Sequence, residues 1–528
     1  MRVLKFYKPE WIKWRCHKNE SGTKSLVYQL LEGENYLFEG ISAEFIQELL
    51  SVEPWTEINI DKTLSGFSEI PKEDVDSFTN ELLDNGILMD FIPTYDQIKV
   101  MRKQVGDHRI KIEKSRNLLS EKEIKKKLPF VQSDPESDYA AFLEADRIPA
   151  VVMFELTYNC NEMCVHCFNP GAARNNEEKS LRNKREEINI DHYRKLIAEL
   201  DEIGVYKIIL TGGDPFVKPK IWELIELISN TNIVIDIYTN GLALLGRVER
   251  LSKHWPLSLG LSIYSGDHDV HNSITRVPNS LKKSLIVAED AANLGIPIYF
   301  KCPVMTHNAT SYFKVAEIAK NYGAIPQMDV SLTDAVDGDT TITENLQVKG
   351  DLLEIILRDP DIPLYVGKEA PDFGRQVKNK EEAFCGAGTV MMNITPEGDV
   401  TPCNSFPTQF GNLKTESFKD IIFKSDELRK WQGVAIKDYD ECGTHERCNY
   451  CSRCPGQSFI EHGTPLKASS ANCNMATTRM NLANLLREGN DPLKGQSVDQ
   501  VLNKYDNKLP EKIISKKSVN HRNKELKI

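Results

Sequence analysis

Residues 151–167 run Val151-Val-Met-Phe-Glu-Leu-Thr-Tyr-Asn-Cys160-Asn-Glu-Met-Cys164-Val-His-Cys167, so an apolar hexapeptide ends four positions before three cysteines held within eight residues. The hexapeptide reads as a buried strand. The cysteines then fall in the loop after it, where α/β barrels build their active sites. Three thiolates so close in sequence can wrap one face of a cubane. A [4Fe–4S] cluster takes four ligands, so a local triplet leaves one iron free. A free iron can chelate an amino acid through amine and carboxylate and pass an electron into the adjacent C–S bond of a sulfonium. The competing zinc knuckle would be expected to bring a fourth local Cys or His.

From 149 to about 335 apolar strand-like and amphipathic helical segments alternate. Strands are expected at Lys207–Leu210, Ile233–Tyr238, Ser258–Ile263, Pro297–Lys301 and Met328–Leu332. Helices are expected at Asp191–Ile203, with Leu196, Ile197, Leu200 and Ile203 on one face, and at Lys220–Ser229, Ser280–Leu294 and Ser311–Asn321. With the Val151 strand this makes six strands separated by helices, hence parallel βαβ units. Right-handed crossovers in that order curl into a partial (β/α)6 TIM-like barrel over 148–345, in the α/β class and short of the eight repeats that close the full form. The missing repeats leave a lateral opening for a large substrate.

Strand ends carry the polar turns. Thr211-Gly-Gly-Asp214-Pro215 follows the second strand, where glycines let backbone approach a ligand. Tyr238-Thr-Asn-Gly241 ends the third and Leu261-Ser-Ile-Tyr-Ser265 the fourth, and His271-Asn-Ser-Ile-Thr-Arg276 follows. The C-x3-C-x2-C spacing after a barrel strand resembles the radical S-adenosylmethionine superfamily, and His166 with Phe168 resembles its subgroup carrying a SPASM domain. The resemblance implies that Cys160, Cys164 and Cys167 hold the catalytic [4Fe–4S] cluster and that His166 packs beside adenine. It also implies cofactor contacts from Gly212, Gly213 and Asp214 at the methionine amine, with Asp standing where the family has Glu. Thr239, Asn240 and Ser262 would add contacts, Arg276 would grip the methionine carboxylate, and the backbone of Gly295–Tyr299 would touch adenine.

Seven more cysteines lie between 385 and 473: Cys385, Cys403, Cys442, Cys448, Cys451, Cys454 and Cys473. Pro396-Glu-Gly-Asp399 reads as a hairpin turn between strands at Val390–Ile394 and Asp399–Thr401, bringing Cys385 and Cys403 together. This block, 384–475, resembles a SPASM domain with two auxiliary [4Fe–4S] clusters. The spacing Cys442-x5-Cys448-x2-Cys451-x2-Cys454 departs from the family, with His445 where the second cysteine belongs. Two capped cubanes need eight ligands and the block has seven. Either one iron is open to a substrate thiolate, or a non-cysteine group fills the place. Cys16 and Cys302 read as small buried residues.

Residues 1–98 resemble the winged-helix-like leader-recognition domain of peptide-modifying enzymes. The likeness rests on Tyr36-Leu-Phe-Glu-Gly-Ile-Ser42 before a helix from Ser42, and on Leu82-Leu-Asp-Asn-Gly-Ile-Leu88 after one from Pro71 with Val75, Phe78, Leu82 and Leu83 on one face. Such a module would present a sheet edge to an extended leader peptide. The charged stretch 99–147 is expected as a helical linker on the surface, 346–383 as a polar connector, and 476–528 as a helix (Ala476–Leu486) followed by a basic tail without assigned function.

The resemblance implies a radical maturase of a ribosomally made precursor peptide, of the kind used in bacteriocin biosynthesis. It would install a crosslink, with a Cys sulfur-to-carbon thioether as the leading product. Carbon–carbon crosslinking and sulfatase-maturase-like oxidation of a Cys or Ser remain alternatives, and a zinc-binding winged-helix regulator is the non-enzyme alternative. An external flavodoxin- or ferredoxin-type donor is expected. The net charge of −11 argues against a nucleic-acid partner. The absence of an apolar run of ~18–20 residues argues against a membrane one. With no signal-peptide-like start the expected location is the cytoplasm, where clustered cysteines hold metal rather than disulfides.

Overall fold

The structure is a computed structural model describing residues 5–67, 70–115, 134–172, 186–367, 381–383 and 385–505. The expected basic tail and the middle of the expected linker lie outside the described residues. The chain opens with β1 (Phe6–Tyr7) and a meander of β2 (Ile12–Asn19), β3 (Gly22–Gln29) and β4 (Glu34–Glu39). Pairing of Asn19 with Gly22 closes a two-residue turn, which sets the β2–β3 register. Helix Ile41–Leu50 buries Phe45, Ile46, Leu49 and Leu50. A short strand, β5 (Glu57–Ile58), pairs with β1. Helix Lys72–Asp84 buries Val75 and Leu82 and sets Phe78 edge-on to Phe38, ring centroids 5.7 Å apart.

The barrel strands are β6 (Val151–Glu155), β7 (Lys207–Thr211), β8 (Val234–Thr239), β9 (Ser258–Ser262), β10 (Ile298–Pro303) and β11 (Ile325–Asp329). They pair in sequence order, all parallel. The last strand begins at Ile325, three residues before the expected Met328. Gly323, in the left-handed region at φ 59°, ends the preceding helical turn and starts the strand early. Helix Ile190–Ile203 shows how the outer layer is fixed. Asn189 caps its first turn in a capping box with His192, Gly204 ends it in the left-handed region, and Tyr193, Leu196, Ile197 and Leu200 face the sheet.

Register divides the strands into two faces. Val152, Phe154, Ile208, Leu210, Ile235, Ile237, Leu259, Leu261 and Phe300 point outward into the apolar core beneath the helices. The alternate residues point into the barrel, and many are polar: Glu155, Asp236, Tyr238, Ser258, Ser262, Lys301 and Gln327. The interior is therefore a polar-walled space instead of the apolar plug of a closed barrel.

Beyond β6 the sheet continues. β12 (Met391–Ile394) pairs parallel with β6, then antiparallel with β13 (Asp399–Thr401), which pairs with β14 (Gly411–Asn412). The hairpin expected in the second cysteine block is thus built onto the barrel's first strand. Two expectations are corrected here. The stretch 346–383 is not only polar connection, because helix Gly350–Ile356 buries Leu352, Leu353, Ile355 and Ile356. Nor is 99–147 a surface linker throughout. Helix Tyr95–Ser115 packs on the barrel, with the Arg102 guanidinium 3.6 Å from the Trp255 ring centroid and a hydrogen bond to the Ser252 carbonyl.

The N-terminal module docks at the end of the barrel where its strands begin. Trp11 lies 5.0 Å from Trp255, Tyr28 lies 6.2 Å from Tyr206, and Lys13 donates to the carbonyls of Ser229 and Thr231. Among the described residues no helix is long and apolar enough to cross a membrane.

Candidate functional site

At the other end, where the strands finish, a cavity of about 690 Å³ is lined by Cys160, Cys164 and Cys167 together with residues from the ends of β7 to β11. Position along the strands explains the gathering. Each βα turn leaves its polar residues at the same rim.

The cysteine loop is held from two sides. On one, Met163 N and Val165 N donate to the carbonyls of Thr275 and Ile274, and Arg276 Nε donates to the Met163 carbonyl. On the other, Gly212 and Gly213 pass against its entry. A Cβ at Gly213 would sit 2.0 Å from the Asn159 carbonyl oxygen, and Gly212 is at φ 129°. Only glycine lets these two loops meet so closely. Asn240 Nδ2 donates to Asn161 Oδ1 at 2.6 Å and to Cys160 Sγ at 3.5 Å.

Behind the cysteines the wall is aromatic. His166 stands edge-on to Tyr264 with centroids 4.7 Å apart, and Tyr264 stacks on His271 at 5.3 Å. The Tyr264 hydroxyl lies 3.8 Å from Cys164 Sγ. Burial dominates the electrostatics. It pushes His166 down to about 4 and the Glu162 carboxyl up to about 8, and it raises the Cys164 thiol, helped by Glu162, Cys167 and Cys160. A thiol held as Cys164 is favours metal-bound thiolate over free thiolate, since a cation supplies the charge that desolvation withholds.

Of the expected cofactor contacts, Gly212, Gly213, Thr239, Asn240 and Ser262 line the cavity beside the three cysteines. Three expectations fall elsewhere. The Asp214 carboxylate is wholly buried and accepts from Phe216 N, Thr239 Oγ1 and Asn240 N, so it clasps the ends of β7 and β8 and does not reach into the cavity. Arg276, left-handed at φ 56° after helix His268–Thr275, holds the cysteine loop from outside the lining. The Gly295 carbonyl accepts from Arg109 before β10 begins, at the end remote from the cysteines. Sequence reasoning missed Lys301 and Gln327 as lining residues. The signal was there in strand parity, which puts them on the same face as Ser262.

None of the twelve cysteines, all described, is in a disulfide. Those of the second block separate by their mutual charge effects. Cys403 is raised by burial and then by Cys454 and Cys385. Cys442 is raised to about 11 by burial and then, against Arg453, by Cys451, Cys448 and Cys473. Exposed His445 only precedes the turn Glu446–Tyr450 that swings Cys448 inward. Cys473 rides the first turn of helix Ser470–Arg487, which starts before the expected Ala476 because Ser469 caps it. Asn404 and Ser405, directly after Cys403, line the same cavity as the Cys160 loop.

The donor set fits iron–sulfur clusters and S-adenosylmethionine. The site offers three thiols at the rim, glycine backbone beside them, and a buried His166 Nδ1 with no hydrogen-bond partner among the described residues. Residues 154–316 match the radical SAM superfamily, and residues 385–455 match the SPASM iron–sulfur cluster-binding domain. The AdoMet-dependent heme synthase of Methanosarcina barkeri is 24% identical over 343 residues, 60% of this chain and 95% of that protein. The antilisterial bacteriocin subtilosin biosynthesis protein AlbA of Bacillus subtilis is 24% identical over 323 residues, 58% of this chain and 67% of that one. The crystal structure of Streptococcus suis SuiB bound to precursor peptide SuiA superposes with a TM-score of 0.51 at 14% identity, covering 88% of this chain and 99% of that chain. That likeness is one of fold.

Proposed function

We propose, on the premise that this chain is a radical S-adenosylmethionine enzyme carrying a SPASM domain, that it matures a ribosomally made precursor peptide by installing a Cys sulfur-to-carbon thioether. Cys160, Cys164 and Cys167 would hold the catalytic cluster, Cys442, Cys448, Cys451 and Cys473 one auxiliary cluster, and Cys385, Cys403 and Cys454 the other. Bound there, the cofactors supply a hydrogen-abstracting 5′-deoxyadenosyl radical, an electron acceptor and, where three thiols leave a fourth position, a site for a substrate thiolate.

The chain's own residues do the positioning. Gly212, Gly213 and Asn240 bring backbone and amide groups to the cofactor, Ser262 adds a hydroxyl, and His166 and Tyr264 wall the site and keep water out. The single observation supporting the thioether reading is that Asn404 and Ser405, directly after Cys403, line the cavity of the Cys160 loop, which sets the three-thiol group beside that cavity. A peptide cysteine held there would lie near the carbon it joins, as proximity requires.

Recognition of the leader is assigned to a winged-helix-like module over residues 1–98, with the peptide adding as a strand to the edge of β4 that pairs with no strand among the described residues, beside helix Lys72–Asp84. Support comes from similar proteins. SuiB was crystallised with its precursor peptide, and AlbA is a bacteriocin biosynthesis protein.

The test is anaerobic incubation of reconstituted protein, S-adenosylmethionine and dithionite with any short Cys-containing peptide found encoded beside the gene. A product two hydrogens lighter per crosslink, with its cysteine closed to iodoacetamide, supports the thioether. The same mass loss with the cysteine still alkylated indicates a carbon–carbon bond. No mass change overturns the proposal.

A further inference from the structure

The barrel's inward face carries a cation to which the site described above assigns no role. Lys301 sits on β10 between Ser262 of β9 and Gln327 of β11 and lines the cavity. Its ammonium rests 4.1 Å from the centroid of the Tyr238 ring. The seat is built by a glycine. A Cβ at Gly260 would lie 2.8 Å from Tyr238 Cδ1 and 3.1 Å from Lys301 Cε, so only a bare strand position lets ring and lysine stem lie together over the backbone.

The other lysine on this face is already matched. Lys207 pairs with Glu136 and lies 4.0 Å from Asp236, whose carboxylate also accepts from Ser258 Oγ at 2.6 Å. Lys301 has no hydrogen-bond or ion-pair partner among the described residues. Burial lowers its pKa, and Asp236 offsets this only in part. A half-desolvated ammonium over an aromatic face, without an oxygen acceptor, is the complement of an anion that arrives with the ligand. Among the described residues lining the cavity it is the sole lysine or arginine, whereas Glu162, Asp329 and Asp361 supply the opposite charge elsewhere on the wall.

We infer that Lys301 is a specificity-determining residue that binds a carboxylate of the peptide segment placed in the cavity, so the enzyme selects an Asp or Glu side chain, or a chain end, near the modified site. The inference rests on the peptide-substrate reading above. It places the acidic group toward β10 and β11, across from the cysteine loop that follows β6. Planar oxygens would reach the ammonium from the cavity side, and Gln327, beside Lys301 on β11, would hydrogen-bond the same carboxylate.

The test is lysine footprinting by reductive methylation and mass spectrometry on full-length, cluster-reconstituted protein with S-adenosylmethionine bound. N-acetyl-glutamate amide is the probe and N-acetyl-glutamine amide its neutral twin. The acid is expected to slow labelling of Lys301 about tenfold more than the amide does, the difference one charge-assisted hydrogen bond makes. In equilibrium dialysis Lys301→Gln should abolish retention of the acid and Lys301→Arg should keep it. Affinity for S-adenosylmethionine should stay unchanged in both, and iron content and circular dichroism check that they fold. Equal protection by acid and amide overturns the inference. So does loss of S-adenosylmethionine affinity in Lys301→Gln, which would reassign the ammonium to the cofactor's own carboxylate. Selective protection by the acid in a protein that modifies no peptide would strike the peptide-maturase reading and leave the carboxylate site standing.

Discussion

The two ends of the barrel are made of different materials. Where the strands finish, cysteines, glycines and amides line an open cavity of about 690 Å³. Where they begin, Trp11, Tyr28, Tyr139, Tyr206 and Trp255 form a continuous apolar contact with the N-terminal module. One end is built for chemistry and the other for docking, and the same strands supply both. The difference teaches that the module said to recruit a leader does not sit over the reacting site. On the proposed leader site, a peptide bound at β4 would run along the outside of the barrel before its core enters from the opposite end, and the spacer between leader and core would cover at least a strand's length, about 17 Å for five residues.

Substitutions at one end should leave the other alone. The largest effect is expected from Gly213→Ala. The new Cβ meets the Asn159 carbonyl at 2.0 Å and forces the cysteine loop from its neighbour, so S-adenosylmethionine cleavage should fall by about 100-fold or more. Docking at the far end, followed by limited proteolysis between the module and the barrel, should not change. Trp255→Ala is the reciprocal variant. Removing the ring between Trp11 and Arg102 should lower unfolding free energy by about 3–5 kcal/mol in urea, while peptide-independent cleavage of S-adenosylmethionine stays within about twofold of wild type, since each change is remote from the other end. If Trp255→Ala abolishes cleavage without unfolding, the two ends are coupled and the comparison breaks.

Thr239→Val should have an intermediate effect. It takes the hydroxyl donor from buried Asp214, at the cost of about 1–3 kcal/mol for an unmatched buried acceptor, and should raise KM for S-adenosylmethionine by displacing Asn240. The smallest effect is a pH dependence at the docking end. Burial lowers Lys13 from its ordinary value to about 8. The unfolded chain thus holds this proton more tightly, so stability should rise as pH climbs from about 8 toward 10.5. Lys13→Met should remove about 1 kcal/mol or more of that rise, measured by urea unfolding at the two pH values.

Much of this arrangement was legible in the residues themselves. The Cys160–Cys167 loop is local, so its spacing and its place after an apolar strand are enough to read it. The barrel strands were legible because each is an apolar run between turn residues. Partnerships made across the sheet were not. Asp214 looks like a ligand-facing acid until β8 supplies Thr239 and Asn240 to take its oxygens. The parallel pairing of β12 with β6 joins residues 391 and 151, and no local pattern announces it. Arg276 has the right chemistry for a carboxylate, but its left-handed backbone at the end of a helix turns it toward the Met163 carbonyl. The proposed grouping of Cys454 with Cys385 and Cys403, and not with its sequence neighbours Cys448 and Cys451, rests on charge effects between residues far apart in the chain.

The claim beneath all of this is that the cysteine-bearing end of the barrel cleaves S-adenosylmethionine. Anaerobically reconstituted protein given S-adenosylmethionine and dithionite should release 5′-deoxyadenosine, quantified by chromatography and mass spectrometry. The variant with Cys160, Cys164 and Cys167 all changed to alanine should release none while retaining the iron held by the second cysteine block. Equal release from both proteins, or none from either at full iron content, would contradict the account.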